Sequence, residues 1–338
     1  MERKMKRVLV TGAAGFLGQA VTAELLERGC GVRALVRSEE KAGPLRLLGA
    51  EIMVGDIRDA AMGAALDGVD TVIHCAAAIG TTPLGREEFY SVNVEGTRNL
   101  VEAAKGSAHV ERFVHISTVA VIGEIDPRNP ADEETACRPT DAYGETKLLG
   151  ERVVRDAARA GFPAVIARPM WIYGAGSTVT TNLFRKIARR KLPMIGAAQN
   201  TMQPVEIGDA VRGIVRCAEA GGIEGRIYNI AGAEILTIRV MCETIARLMG
   251  TTLPGPSVPM WFATAAATGC EMIFPLLGVA APITHEKLEF FRVCNSYSIE
   301  RARQELEWSP KILFEDGARK VAELVKVEMR ESEAGVRT

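Results

Sequence analysis

The feature that most constrains this chain is a junction near its start. The apolar run Val8-Leu9-Val10 passes directly into Thr11-Gly12-Ala13-Ala14-Gly15-Phe16-Leu17-Gly18, and a helix-compatible stretch continues to residue 28. Glycines spaced three apart, in a turn between a buried strand and a helix, let the backbone approach a bulky anion. The first N–H groups of the helix and its dipole favour negative charge at that point. The spacing is G-x-x-G-x-x-G, one residue longer than the commoner G-x-G-x-x-G. It predicts a strand at 7–11, a helix at 15–28 and a diphosphate seated on the turn between them.

The same rhythm continues down the chain. Short apolar runs recur at 31–36, 51–54, 71–74, 112–117 and 165–167, with helical patterns at 86–105 and 142–160. Apolar runs of this length separated by helices are parallel strands buried on both faces. Right-handed crossovers then produce a doubly wound sheet whose ligand sits at the carboxyl ends of the strands. After Gly176 the pattern changes: a helix at 182–190, strands at 204–207 and 226–230, a helix at 237–249, a proline-rich break at 253–259 and a closing helix at 314–327. The expected fold is α/β. A Rossmann-type dinucleotide-binding domain spans 1–178, completed by strands within 201–233, and a smaller mixed α/β substrate-binding lobe lies mainly in 179–338.

Composition removes several function classes. Lys plus Arg total 41 against 42 Asp plus Glu, so the basic excess of a general nucleic-acid binder is missing. With 47% hydrophobic and 25% charged residues the chain is an ordinary globular one rather than a disordered one. Seven scattered cysteines without a C-x-x-C pair give neither a zinc site nor a disulfide framework, and no metal is expected. Reduced thiols imply a cytoplasmic setting. The stretch 258–281 is apolar apart from Glu271 and carries Trp261 and Phe262 near one end. Its length matches a bilayer crossing, yet Pro259, Pro275 and Glu271 interrupt it. It is read as a helix of the substrate lobe, with contact to a membrane surface as the second reading.

The candidate chemistry lies at Tyr143-Gly144-Glu145-Thr146-Lys147, which opens a helical pattern. Residues four apart share a helix face. An ammonium beside a phenol favours the phenolate, which brings the phenol's pKa of about 10 down toward neutrality and makes it a general acid or base. A strand ending in Ser117-Thr118 places a hydroxyl at the ligand side of the sheet, able to hold a substrate oxygen. The strand 31–36 ends at Arg37, where an acidic residue would grip a ribose 2′-hydroxyl. A guanidinium suits a 2′-phosphate instead, so NADP is expected over NAD. Arg33, four residues earlier, is expected to sit too far back to reach it.

These segments, in this order, resemble the extended short-chain dehydrogenase/reductase family, the NAD(P)-dependent epimerase/dehydratase group. The resemblance extends over nearly the whole chain and rests on Thr11 to Gly18, Gly55-Asp56-Ile57, His74-Cys75-Ala76-Ala77, Asn93 to Thr97, Ser117 to Gly123, Tyr143 to Lys147, Ala167-Arg168-Pro169, Tyr173-Gly174, Tyr228 to Gly232 and Leu306 to Pro310. It implies catalytic roles for Thr118, Tyr143 and Lys147. It implies cofactor contacts from Gly12, Ala14, Gly15, Phe16, Leu17, Gly18, Arg37, Asp56, Ile57, Ala76, Ala77, Tyr143, Lys147, Pro169 and Ile172, with His74 left to packing. A homodimer through the helices at 86–105 and 142–160 follows from the same resemblance.

Two departures narrow the expected substrate. The stretch Met202-Gln203-Pro204 lacks the arginine that nucleotide-sugar members carry there, and Arg292-Val293-Cys294-Asn295 replaces their R-x-G-D. The apolar stretch 253–283 resembles the 3β-hydroxysteroid/sterol dehydrogenase-like branch, and 32–38 the dihydroflavonol-reductase branch. The expectation is an NADP(H)-dependent oxidoreductase interconverting ketone and secondary alcohol on a small hydrophobic substrate: steroid- or triterpenoid-like, flavonoid-like, or a 2-alkyl-3-oxo acid. A nucleotide-sugar epimerase/dehydratase and a non-catalytic NADP-binding scaffold are the competing readings.

Overall fold

The computed structural model describes residues 3–59, 62–79, 85–126, 128–274, 279 and 281–335. Val8, Leu9 and Val10 are fully excluded from solvent, as a strand flanked by neighbours and covered on both faces must be. The strand they form, β1 (Arg7–Thr11), is followed by α1 (Phe16–Glu27), β2 (Gly31–Val36), α2 (Gly43–Leu47), β3 (Glu51–Val54) and β4 (Thr71–His74). Next come α3 (Arg86–Tyr90), α4 (Thr97–Lys105), β5 (Arg112–Ile116), α5 (Ala142–Arg159) and β6 (Ala164–Pro169). The later part contains β7 (Ile172–Tyr173), α6 (Thr178–Ala188), β8 (Thr201–Met202), β9 (Val205–Glu206), α7 (Ile207–Glu219), β10 (Ile227–Ile230), β11 (Leu236–Thr237) and α8 (Ile238–Leu248). It closes with α9 (Met260–Ile273), α10 (His285–Glu289), α11 (Glu300–Leu306) and α12 (Phe314–Gly335).

The main sheet has seven strands in the order β10-β6-β5-β4-β1-β2-β3, every neighbouring pair parallel. The chain leaves β1 toward β3, then returns to build outward from β4. The winding therefore reverses between β1 and β4, and the crevice for a ligand opens beyond their carboxyl ends. Of the strands within 201–233, only β10 joins this sheet. β8 pairs with β11 and β9 with β7, each two residues long. Pro204 between them has no N–H to give to a longer ladder.

The expected single helix at 86–105 is interrupted by a π-helical stretch, Ser91–Gly96, between α3 and α4. The cause is Asn93, a buried residue whose carboxamide accepts from Ala78 N (2.8 Å) and donates to Ala78 O and to Thr146 Oγ1 (both 3.1 Å). The widened turn lets this side chain link the loop after β4 to α5. The stretch 258–281 forms α9 over 260–273, while Pro275 and the other residues at 275–278 and 280 lie outside the described residues. Among the described residues no helix is long and apolar enough to cross a membrane. The helix expected at 182–190 starts earlier, at Thr178, where the Ser177 hydroxyl caps it by accepting from Thr180 N.

Parallel register sets His74 of β4 beside His115 of β5, with ring centroids 5.3 Å apart. His74 lies between two hydroxyls, Thr11 Oγ1 at 2.7 Å from Nδ1 and Thr97 Oγ1 at 3.0 Å from Nε2. Neither ring nitrogen of His115 has a partner among the described residues. Burial, helped by the Lys147 charge, pushes His74 down to about 3 and His115 well below the ordinary range. The unfolded chain protonates both rings near pH 6.5. Below that pH it binds protons that the folded protein refuses until about pH 3 at His74, so stability falls as the pH falls. The slope is about 1.4 kcal/mol per pH unit per histidine. Denaturant titration should show His115→Phe losing about 2 kcal/mol less than the native protein between about pH 6.5 and 5; equal losses would mean that His115 is protonated in the fold.

Candidate active site

The turn after β1 is shaped by close backbone contact. Gly12 has φ +64°, and a Cβ there would lie 2.7 Å from both Cα and N of Ala76. A Cβ on Gly18 would overlap the Gly12 carbonyl oxygen. Gly15 stands at the N-cap of α1 with no side-chain cap, and the first turn contains no acidic residue. Uncapped N–H groups at the positive end of a twelve-residue helix, beside a backbone that only glycine allows so close, fit a dinucleotide diphosphate. Ala14, Phe16 and Leu17 are half-buried around this turn, and Ala76 and Ala77 enter it from the end of β4. Ala76 N donates to Thr11 Oγ1 at 3.2 Å. The Phe16 ring lies against Gly174, where a Cβ would be 3.4 Å from its Cζ.

The far end of this crevice is set by β2 and β3. Arg37 is exposed just beyond β2, and no hydrogen bond or ion pair engages its guanidinium among the described residues. It lies near enough to Asp56 to contribute, after Arg58, to holding that carboxyl below the usual range. Asp56 itself is occupied by Arg58, at 3.0 Å from Nε and 2.7 Å from Nη2. Ile57 is buried beneath Gly96. Arg33 points the other way. Its Nη1 donates to the carbonyls of Ala64, Ala65 and Asp67 at 3.1, 2.9 and 3.1 Å.

The reactive side chains gather at the ends of β5 and β6. Ser117 is buried, and its N donates to Ala167 O at 2.7 Å. Thr118 is half-exposed and caps the turn at 119–121, accepting from Ala120 N at 3.2 Å. Its hydroxyl lies close enough to the Tyr143 phenol to favour the ionised form of that phenol. Asp141 caps α5 by accepting from Gly144 N at 2.6 Å, which fixes Tyr143 in the first turn. Lys147, one turn on, is 2% exposed and donates from Nζ to Ile116 O at 2.6 Å. Pro169 is buried at the end of β6, and Ile172 is half-buried on β7.

The phenol does not behave as the spacing alone suggested. Burial raises Tyr143 to about 12, only partly offset by the nearby Thr118 hydroxyl, while Asp141 adds to the rise. Lys147 is lowered by burial to about 8, against the pull of Glu151. The expected lowering of the phenol by the ammonium is corrected here. Lys147 directs Nζ to the Ile116 carbonyl, and desolvation of the phenol dominates. At neutral pH this tyrosine carries its proton.

Sequence reasoning missed three supports of this arrangement. Phe89 packs its ring 6.4 Å from that of Tyr143, a contact with no sequence signal. Asn93 anchors α5 as described above. Glu151 and Arg168, both buried, form a two-pronged pair at 2.8 and 2.7 Å, and Arg168 Nη2 also reaches Cys137 Sγ at 3.3 Å. The Lys147–Glu151 spacing of four was a readable sign that both share one helix face.

The family model described as the NAD-dependent epimerase/dehydratase family matches residues 8–231. The chain belongs to this family. The family members it resembles include a 4-hydroxy-2-methyl-3-oxo-4-farnesyl-3,4-dihydroquinoline-1-oxide ketoreductase of Stigmatella aurantiaca, 28% identical over 317 residues, 92% of this chain and 94% of that protein. A 3β-hydroxysteroid dehydrogenase/Δ5→4-isomerase of Mycobacterium tuberculosis is 30% identical over 331 residues, covering 91% and 87%. The UDP-glucuronic acid 4-epimerase of Bacillus cereus, solved with UDP-glucuronic acid and NAD, shares the fold at a TM-score of 0.77 and 24% identity over 95% of this chain and 99% of that one. This family member is an NAD(P)-dependent enzyme of the extended short-chain type.

Removing one partner of a buried ion pair strands the other's charge, which costs about 3–5 kcal/mol. Glu151→Gln should lower unfolding stability by that amount in urea titration. The double variant Glu151→Gln/Arg168→Met should recover most of the loss. An unchanged midpoint in the single variant would show that the pair is not closed in solution.

Proposed function

We propose that this enzyme reduces a ketone on an apolar molecule to a secondary alcohol with NADPH. The observation that carries this reading is the protonated Tyr143 phenol, close to the Thr118 hydroxyl and standing one turn before a buried Lys147 at the ligand side of the sheet. NADPH, when bound, supplies a hydride to the carbonyl carbon. Thr118 holds the carbonyl oxygen, and Tyr143 Oη gives its proton to that oxygen as the C=O π bond breaks, leaving the alcohol. Lys147 keeps a positive charge beside the phenol as it turns anionic and binds the nicotinamide ribose. The glycine turn Gly12 to Gly18 seats the diphosphate. Ala76, Ala77, Pro169 and Ile172 line the nicotinamide side, and Asp56 and Ile57 the adenine side.

The substrate class is argued from groups already taken. Gln203 donates from Nε2 to Gly232 O (2.9 Å) and accepts at Oε1 from Tyr297 N (2.8 Å). Arg292 pairs with Glu124 at 3.5 Å. Gln203 thus offers no cation to a sugar diphosphate, which needs charge-assisted contacts. The farnesyl-quinoline ketoreductase and the steroid dehydrogenase are named for apolar substrates, in keeping with this reading.

The direct test is NADPH consumption with a panel of steroid, flavonoid and 2-alkyl-3-oxo acid ketones. Turnover of a UDP-sugar with no net NADPH loss would instead establish the epimerase chemistry. Tyr143→Phe should reduce turnover by about 10²–10⁴-fold, the usual contribution of a positioned acid, with NADPH affinity unchanged by fluorescence titration. Wild-type turnover in that variant would remove Tyr143 from the mechanism.

The preference for NADPH is assigned to Arg37, whose guanidinium stands unengaged at the ribose end of the crevice. A charge-assisted contact is worth about 1.5–3 kcal/mol, or roughly tenfold to a hundredfold in affinity. Arg37→Ala should therefore weaken NADPH by that factor and leave NADH nearly unchanged. Equal losses for both cofactors would mean that Arg37 stacks on adenine and does not bind the 2′-phosphate.

A further inference from the structure

Helix α9 carries its small residues inward and its large ones outward. Ala263 and Ala267 are 2% and 0% exposed, whereas Trp261, Phe262, Met272 and Ile273 are 73%, 55%, 70% and 56% exposed. At about 100° per residue, Trp261, Ala265, Thr268 and Met272 align along the outer face, with Phe262 and Ile273 beside them. The Trp261 and Phe262 rings meet edge to face at 5.8 Å. The polar groups of this helix are satisfied within the protein. Thr264 and Thr268 donate to the carbonyls of Met260 (2.9 Å) and Thr264 (3.1 Å), four residues back. Glu271, its single charged residue, accepts from the backbone N of His285 at 2.9 Å, and its other oxygen lies 2.7 Å from the ring Nδ1. The face therefore presents apolar area with little claim on water.

Cations flank one end. Val258, two residues before α9, exchanges backbone hydrogen bonds with Met194 and Gly196, each at 2.8 Å. The chain enters that pairing through Lys186, Arg189, Arg190 and Lys191, and no acidic residue occurs between positions 157 and 205. Lys186, Arg189 and Lys191 are exposed and have no carboxylate partner among the described residues.

We propose that α9 is a membrane-docking element that lies in the plane of an anionic lipid surface. Trp261, Phe262, Met272 and Ile273 enter the acyl boundary, and the cations at 186–191 meet the headgroups. The helix has fourteen residues. Its length of about 21 Å falls short of a hydrocarbon core of about 30 Å, so it rests in the interface and does not cross it. Anionic headgroups complement the exposed cations at this end of α9.

Flotation of the full-length protein with phosphatidylcholine vesicles, with and without one quarter phosphatidylglycerol, tests this. The native protein should float with the anionic vesicles at moderate salt. Trp261→Ala/Phe262→Ala and, separately, Lys186→Glu/Lys191→Glu should each weaken that partition at least tenfold. Thermal unfolding and NADPH binding of both variants should match the native protein, which separates lost docking from lost folding. The proposal is overturned if the native protein does not float with anionic vesicles into the millimolar lipid range, or if both variants float as well as it does. It is also overturned if light scattering shows a dimer that Trp261→Ala/Phe262→Ala dissolves in place of any vesicle binding. Flotation is read without turnover, so it stands or falls apart from the ketone reading.

Discussion

The active site hangs on one buried contact, the Lys147 ammonium docked on the carbonyl of Ile116 at the end of β5. A side chain with three donors and a full charge is not moved into a protein interior without compensation. This one sits four residues after Tyr143 and four before Glu151, so the three form a row along one face of α5, one turn apart. Docking the middle member sets the register of the whole row. Tyr143 is thereby brought to the mouth of the crevice, and Glu151 to Arg168 on β6. Glu151 and Arg168 largely neutralise each other, and the charge left to Lys147 is the one desolvation acts on, taking it down to about 8. A site that needs an ammonium beside a proton donor thus keeps that ammonium charged at neutral pH, though it gives up its proton more readily than a free lysine.

The ground beneath this row is polar but uncharged. His74 and His115 lie under Lys147, both held neutral by burial and by its charge. A carboxylate there would pull the lysine from the Ile116 carbonyl, and a second cation would repel it. A neutral imidazole fills the volume of an aromatic core residue and, at His74, ties β1 to α4 through Thr11 and Thr97. Thr11 then passes the connection on to Ala76 N, at the edge of the glycine turn. The diphosphate turn and the proton-donating helix are joined through a few buried hydrogen bonds and not through the sheet alone.

What the sequence disclosed follows the range of each interaction. Strands β1 to β6, helix α1 and the Tyr143–Lys147 pair are written in local periodicity and in residues four apart, so they were legible. The π-helical stretch was not, because Asn93 leaves the regular helix only to reach Ala78 and Thr146, distant in sequence. The Arg168–Glu151 pair was half legible: the face of α5 was readable, the partner on β6 was not. The proton affinity of Tyr143 was misjudged for a related reason. Spacing states how near an ammonium lies along a helix, but not where its Nζ points or how much water the fold strips from the phenol. The two-residue strands β8 and β9 carry no periodicity at all, and only the packed second lobe decides their partners.

The proposed direction of chemistry rests on the same desolvation. A phenol raised to about 12 is a poor base near neutrality and an available acid. In the reducing direction it gives its proton to an oxygen that becomes more basic as the carbonyl is reduced, so the transfer runs with the gradient of proton affinity. In the oxidising direction the same residue would first have to lose its proton to water, against the burial that holds it there. Polar groups of the second lobe point the same way on substrate. Gln203 is bonded within the protein, and Asn200 donates to the Phe290 and Val293 carbonyls. A polar ligand would have to replace those bonds before gaining any of its own, whereas an apolar ketone asks only for a hydroxyl and a phenol at one oxygen. A protonated acid at the crevice mouth and polar side chains of the second lobe already bonded within the protein are both in keeping with the proposed reduction of an apolar carbonyl.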